Sequence, residues 1–164
     1  MLRDKNLIPL SHQHQRALAI CVRIDRARPI PAADLKIWQS EIEQHFEQEI
    51  KCHFSAEEQV LFPVACKFPE LIPVVEDLIG DHAALRESFA QAKAYTMSTE
   101  TLPAFAQCLS HHIRKEERQL FERLQQLTSP EEMSALGTRL EAALNGATQS
   151  CILPNEATRL RQRS

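Results

Sequence analysis

The chain has 164 residues, a formal net charge of -3, 43% hydrophobic residues and 25% charged residues, a composition typical of one soluble globular domain. This charge gives no electrostatic reason to expect nucleic acid or an anionic membrane as a partner. No apolar run reaches the ~20 residues needed to span a bilayer, and the first residues lack a signal-peptide core. We therefore expect a cytoplasmic protein without a membrane or nucleic-acid partner.

The cysteines are odd in number, widely scattered and without a Cys-x-x-Cys pair. A disulfide framework or a thiolate zinc site would show a different pattern. We expect buried or half-buried free thiols at Cys21, Cys52, Cys66, Cys108 and Cys151.

Helices dominate the prediction, because glycine is rare and leucine, alanine, glutamate and glutamine are abundant. The first helix is predicted to begin after Pro9 with Ser11 as its N-cap, and to end before Pro29. The second runs from near Asp34 to about Phe62. Its inward stripe, at spacings of three and four, holds Trp38, Ile42, Phe46, Ile50, His53, Glu57 and Leu61. Pro63 is expected to end or kink this helix.

The third helix is predicted to start in the region 69–73 and to end near Tyr95. The fourth starts in the region 99–103 and ends at about Leu127. Four such helices joined by short loops favour an all-α, up-down-up-down bundle.

A short fifth C-terminal helix is predicted from Ser129, a capping residue, and Pro130 at the first helical position. Gly146 is its predicted stop. This organisation gives one bundle domain over residues 1–147 and a polar, basic, flexible tail over residues 148–164.

Two stretches of the chain, 53–62 and 112–121, align without gaps and share a His, a Glu-Glu pair and a Leu-Phe pair. Each contains His-x-x-x-Glu, and helical residues four apart share a face at roughly 5–6 Å between Cβ atoms. One imidazole and one carboxylate at that spacing can bind one metal ion. These pairs are His53 with Glu57 and His112 with Glu116.

Single histidines also lie on the apolar faces of the first and third helices. Buried, unpaired imidazoles and carboxylates are costly unless a partner or an ion satisfies them. Nitrogen and carboxylate donors in a bundle core favour iron, manganese or zinc in a two-metal centre. The predicted metal ligands are His14, His53, Glu57, His82, His112 and Glu116.

Other polar residues near these positions are expected to have lesser roles. Glu58 and Glu117 turn about 100° away from the ligand face, and are expected to be solvated or to support the ligands. Glu49 and Asp81 are open candidates for a supporting role or for an access path. Histidines expected not to bind metal are His12, His45 and His111.

The ordered ligand set resembles the hemerythrin-like, or HHE cation-binding, domain over about residues 7–128. Two flanking sequence motifs also fit this domain: Leu10-Ser11-x-x-His14 and His53-Phe54-x-x-Glu57-Glu58-x-x-Leu61-Phe62-Pro63. The resemblance implies a non-haem di-iron centre in a four-helix bundle, bridged by both ligand glutamates and an oxo or hydroxo group, with two histidines on each iron. Iron comes from the resemblance; manganese and zinc remain open.

Arg86 occupies the position four residues after His82, where oxygen-carrying hemerythrins have a fifth ligand histidine. The four-His, two-Glu set is instead similar to the di-iron domain of repair-of-iron-centres proteins. We therefore expect a protein that binds or reacts with O2, NO or peroxide, in sensing, scavenging or the response to iron or oxidative stress. A metal-storage module without redox turnover and an enzyme of the peroxidase or NO-reductase type are the alternatives, and the oligomeric state is open.

Overall fold

The computed structural model describes residues 2–151, with side chains for residues 2–145. Five long helices form within this part of the chain. Single 3-10 turns, Ala32–Asp34 and Pro69–Leu71, precede the second and third helices. The uninterrupted helices are α1 (Ile8–Arg26), α3 (Ile72–Lys93) and α5 (Pro130–Cys151).

The other two helices contain π-helical turns, in which the backbone hydrogen bond spans five residues. The α2 helix comprises in order Leu35–His45, the π turn Phe46–Ile50, Lys51–Ala56, the π turn Glu57–Leu61, and Phe62–Ala65. The α4 helix comprises Thr101–Lys115, the π turn Glu116–Phe121, and Glu122–Leu127.

Neighbouring helices in the bundle are antiparallel, because partner numbers fall on one helix as they rise on the other. Between α1 and α2, Arg16 pairs with Glu49 and Arg23 with Glu41. The same inversion joins α2 to α3 and α3 to α4, through the pairs Glu58–Arg86, Glu47–Lys93, Asp81–Lys115 and Glu70–Arg123. The predicted all-α bundle is therefore confirmed, with α1 to α4 running up-down-up-down.

The fifth helix packs against α2 and the N-terminal segment. Its residues Met133, Leu136 and Leu140 are buried in the core at this end of the bundle. Gly137 makes the approach possible, since a Cβ atom there would lie 2.2 Å from Oδ1 of Asn6. A larger side chain at this position would have to displace the side chain of Asn6.

Two apolar clusters fill the bundle, one towards each end. On α1, Leu10 belongs to one cluster and Ala17 to the other, so His14 lies between them. The same order holds on the other helices, where the flanking residues are Ile50 and Leu61 on α2, Leu78 and Leu85 on α3, and Leu109 and Leu120 on α4. The predicted polar donors therefore lie at one level of the bundle, between the two apolar clusters.

Three predicted helix boundaries are wrong. Ser11 is not an N-cap, because α1 already begins at Ile8 with Leu7 at its N-cap position. Pro63 does not end α2, which continues to Ala65, since this proline lies in the first turn after a π segment, where a missing N–H is tolerated; the alternative, a kink at Pro63, stays a prediction. Gly146 does not end α5, which continues to Cys151; a helical glycine costs only about 1 kcal/mol relative to alanine.

Cys21 is buried and Cys108 half-buried, as predicted, but Cys66 is exposed. Burial raises the pKa of the Cys21 thiol to about 11. The side chain of Cys151 and most of the predicted tail, residues 152–164, lie outside the described residues. No helix within residues 2–151 is both long enough and apolar enough to cross a membrane.

Candidate metal centre

All six predicted donors converge in the middle of the bundle, and each is at most 3% exposed. They form two overlapping groups, and within each group the candidate ligand atoms lie within 4.8 Å of one another. The first group is His14, His53, Glu57 and Glu116. The second group is Glu57, His82, His112 and Glu116. Both glutamates belong to both groups, so a pair of cations would share them.

Helical spacing holds each His-x-x-x-Glu pair together. Nε2 of His53 lies 3.0 Å from Oε1 of Glu57. Nε2 of His112 lies 3.3 Å from Oε2 of Glu116. A π turn begins at each of these two glutamates, so every residue after the glutamate is shifted around the helix axis relative to a regular α-helix. Single π turns are frequent at functional sites, and the apolar periodicity of the sequence gave no sign of these.

Glu57 connects the two groups directly. Its Oε1 faces His53, at 3.0 Å, and its Oε2 lies 3.4 Å from Nε2 of His82. Glu116 also contacts both groups, because its Oε2 lies 3.1 Å from Nε2 of His14 and 3.3 Å from that of His112. Each carboxylate therefore lies between histidines of different groups.

The hydrogen bonds of this cluster are incomplete. Among the described residues, neither carboxylate oxygen of Glu57 or Glu116 has a hydrogen-bond partner, and the same holds for Nε2 of His82 and of His112. Nε2 of His14 and Nε2 of His53 face each other at 3.0 Å. Buried polar atoms without partners are rare and costly in folded proteins. Cations bound by these nitrogen and oxygen atoms would satisfy all of them, and this donor chemistry suits first-row transition metals.

Opposite charges offset each other within the cluster. Burial alone would lower the pKa of His14, but Glu116, Glu117 and Glu57 outweigh it and hold that pKa well above its usual value. Burial would raise the pKa of Glu57, but His53 and two other histidines hold it well below its usual value. An incoming cation must therefore displace a proton from His14.

Two carboxylates outside the donor set orient the single histidines of α1 and α3. Nδ1 of His14 lies 2.7 Å from Oε1 of Glu117, and Nδ1 of His82 lies 2.8 Å from Oε1 of Glu58. Glu58 also accepts two hydrogen bonds from Arg86, at 2.7 and 3.1 Å. A hydrogen bond at one ring nitrogen fixes the ring and turns the other nitrogen towards a metal.

Glu117 has further donors on the α1 side. The hydroxyl of Ser11 donates to it at 2.7 Å, and Arg3 donates to both its carboxylate and, at 2.8 Å, its backbone carbonyl. Burial would raise the pKa of Glu117, but His14, Ser11 and Arg3 lower it to about 2. Glu117 therefore remains an anion at neutral pH and accepts hydrogen bonds from all three side chains.

The residues that precede His14 and His82 face the histidines of the two repeats. Nδ1 of His53 lies 2.7 Å from Oε1 of Gln13. Nδ1 of His112 lies 3.5 Å from Oδ2 of Asp81. Sequence reasoning did not single out Gln13, because a neutral glutamine next to a ligand on a helix resembles an ordinary surface residue. Asp81, left open by the sequence, faces His112 at ion-pair distance but makes no hydrogen bond to it within the described residues.

Aromatic rings enclose the imidazoles. Phe54 stacks on His82 with 3.8 Å between ring centroids. Phe62 and Phe121, the last residues of the two repeats, stack on His82 and His14 at 5.5 and 5.6 Å. The donors therefore lie in apolar surroundings, where charged and polar interactions are stronger than in water.

The remaining polar candidates lie outside the cluster. Glu49 pairs with Arg16 at 2.7 Å on the surface. His45 is half-buried, its Nε2 has no partner within the described residues, and burial lowers its pKa. His12 and His111 are exposed, as predicted.

A family model described as the hemerythrin HHE cation binding domain matches residues 9–124. This span covers more than half of the chain and includes all six donors. The chain belongs to the hemerythrin HHE cation-binding domain family. Comparison with curated proteins and with solved structures gave no significant match. The family match and the two ligand groups identify this hemerythrin domain as a metal-binding protein.

Proposed function

We propose that this hemerythrin domain is a non-haem di-iron protein that binds or reacts with a small oxidant, namely O2, NO or peroxide. Its role would be sensing, scavenging or the response to iron or oxidative stress, in the cytoplasm. The observation that carries the proposal is Glu57, a fully buried carboxylate whose two unpartnered oxygens face histidines of different ligand groups. A shared carboxylate is what a two-metal site requires.

In this proposal His14 and His53 bind one iron, here called position 1, and His82 and His112 bind the other, called position 2. Glu57 and Glu116 are shared by both positions. When bound, the two irons supply an open coordination site and electrons for the small molecule. Two histidines and two shared carboxylates leave each ion short of the six donors that iron commonly takes, which is the basis for expecting an open site.

The protein's own contribution is orientation and the exclusion of water. Glu117, Glu58, Gln13 and Asp81 each face an Nδ1 atom, so that the Nε2 atoms are held towards the centre. The phenylalanine rings that stack on His14 and His82 keep water away from the faces of these imidazoles. Both features suit the binding of a diatomic ligand or a peroxide rather than a larger substrate.

Arg86 supports a role other than reversible oxygen transport. It is engaged with Glu58, and its guanidinium lies 5.4 Å from the centre of the Phe54 ring. The position of the additional histidine found in oxygen carriers is therefore filled by a residue that cannot bind a metal. This difference favours a reactive or sensory centre.

The test is metal analysis of the purified protein combined with an optical spectrum before and after dithionite. We expect about two irons per chain, near-ultraviolet absorption that dithionite bleaches, and spectral changes when the reduced protein meets O2, NO or peroxide. A colourless zinc protein would overturn the proposal in favour of a storage module. Sustained consumption of peroxide or NO with an electron donor would identify an enzyme instead.

A further inference from the structure

The side chains that support the histidines repeat with approximate two-fold symmetry. In each repeat, the second glutamate of the Glu-Glu pair accepts a hydrogen bond from the lone histidine of α1 or α3. Glu117 accepts from His14, and Glu58 accepts from His82. The residue before each lone histidine also faces the histidine of a repeat. Gln13 faces His53, and Asp81 faces His112. Three of these four supporting side chains are carboxylates.

Gln13 is the exception. It offers a neutral amide oxygen to Nδ1 of His53, at 2.7 Å. Its counterpart Asp81 offers a carboxylate to Nδ1 of His112, at 3.5 Å. That nitrogen is buried and has no hydrogen-bond partner within the described residues, so the carboxylate of Asp81 faces it at ion-pair distance rather than as a hydrogen-bond acceptor.

Lys115 keeps Asp81 in place without cancelling its charge. Its ammonium lies 2.8 Å from Asp81 and 2.6 Å from Asp77, so one positive charge is divided between two aspartates. On the other side, Glu117 faces Arg3 and Gln13 carries no charge. The surroundings of position 2 therefore carry one more negative charge than those of position 1.

We propose that the two metal positions differ in affinity, and that position 2, formed by His82 and His112 with the shared glutamates, binds its ion first and more tightly. Asp81 acts as the positioning residue responsible for the difference. This inference rests on the proposed two-metal site and adds an order of filling to it.

The physical reason is the donor strength of the imidazoles. A negative carboxylate beside Nδ1–H makes Nε2 a stronger donor to a metal than a neutral amide oxygen does, and losing a carboxylate partner of a ligand histidine commonly lowers metal affinity 10- to 100-fold. The negative charge of Asp81 also attracts a cation at position 2 across the 3.5 Å contact with His112, because Coulomb energy falls only inversely with separation. We therefore expect at least about a tenfold difference in dissociation constant between the positions.

The first experiment isolates each position and uses Co²⁺ alone as the probe, followed by calorimetry and visible absorption. The double variant His14→Ala/His53→Ala retains position 2, and His82→Ala/His112→Ala retains position 1. We expect the variant with position 2 to bind one Co²⁺ about tenfold more tightly. Circular dichroism checks that both variants keep their helices. Equal affinities, or the reverse order, would overturn the inference.

The second experiment keeps all six donors and exchanges the supporting side chains, so it decides the question even if the double variants fail to fold. We expect Asp81→Asn to weaken the tighter site and Gln13→Glu to strengthen the weaker one. The combined exchange should reverse the order of filling. Glu76→Gln, at an exposed glutamate of the same helix as Asp81, is the control and should preserve the order.

The outcomes separate this inference from the proposed function. Two Co²⁺ ions bound with affinities that Asp81→Asn does not alter would contradict the ordered filling alone. A chain that binds no Co²⁺ and no iron would contradict both.

Discussion

The two repeats, 53–62 and 112–121, occupy opposite sides of the ligand cluster and have matching roles. In each repeat the histidine and the first glutamate are candidate metal ligands. The second glutamate orients a histidine on another helix, and the final phenylalanine stacks on that same histidine. A π turn begins at the same place in both. The duplication therefore extends beyond the donors to their supporting contacts.

The helices that face the repeats are not duplicated, and the differences between the two sides come from them. Arg86, in α3, clamps Glu58. The matching position in α1, four residues after His14, is Leu18, so Glu117 is clamped by Arg3 from the segment before α1. The comparison shows that the symmetry of the donors coexists with asymmetric support.

Removing a shared glutamate should have the largest effect, since it breaks both halves at once. We predict that Glu57→Ala and Glu116→Ala each reduce iron content from about two per chain to well below one. The measurement is metal analysis after purification in iron-replete medium. Glu76→Ala, at an exposed glutamate of α3, is the control and should keep both irons. Unchanged iron in both cluster variants would contradict the shared role of the two glutamates.

The second glutamates test the symmetry itself. Glu58→Gln and Glu117→Gln should each weaken one ion by about 10- to 100-fold, at position 2 and position 1 respectively, because each removes a carboxylate that faces an Nδ1 atom at 2.8 or 2.7 Å. Chelator competition measures the affinities. Glu49→Gln, which alters only a surface pair with Arg16, should leave both unchanged. Weakening of both ions by either variant would show that the supports are not specific to one position.

Much of this centre could be predicted from the sequence, because it depends on helical spacing. His53 and Glu57 are four residues apart on an apolar face, and that arrangement determines where both side chains point. The single histidines fall at the same level because the helices are antiparallel and joined by short loops. The family resemblance then supplied the expectation of iron and of two bridging glutamates.

The rest depends on contacts between helices, which spacing along one helix does not encode. Arg3 lies 114 residues from Glu117 in sequence, and no local pattern connects them. Gln13 gains its role only because α1 packs beside α2. Two of the described π turns begin at Glu57 and Glu116, and a sequence period of 3.6 does not reveal an extra residue in a turn.

The smallest expected effect is on the acid stability of the chelator-treated chain, which tests the supporting glutamates. Contacts with His14, Ser11 and Arg3 lower the pKa of Glu117 to about 2, whereas an unfolded glutamate titrates near about 4.3. Because the folded-state pKa is the lower one, the stability that Glu117 contributes is fully present above about pH 4.3 and is lost as the pH falls towards 2.

The measurement is the free energy of unfolding in urea, compared between wild type and Glu117→Gln from pH 6 to pH 3. We expect the advantage of the wild type to shrink over this range. Glu58→Gln provides the comparison. The loss of wild-type stability relative to Glu58→Gln over this pH range should be smaller, because Glu58 has no hydroxyl donor equivalent to Ser11 among the described residues. If the difference in unfolding free energy between the wild type and Glu117→Gln grew as the pH fell, the anion of Glu117 would not be the favoured form in the folded chain.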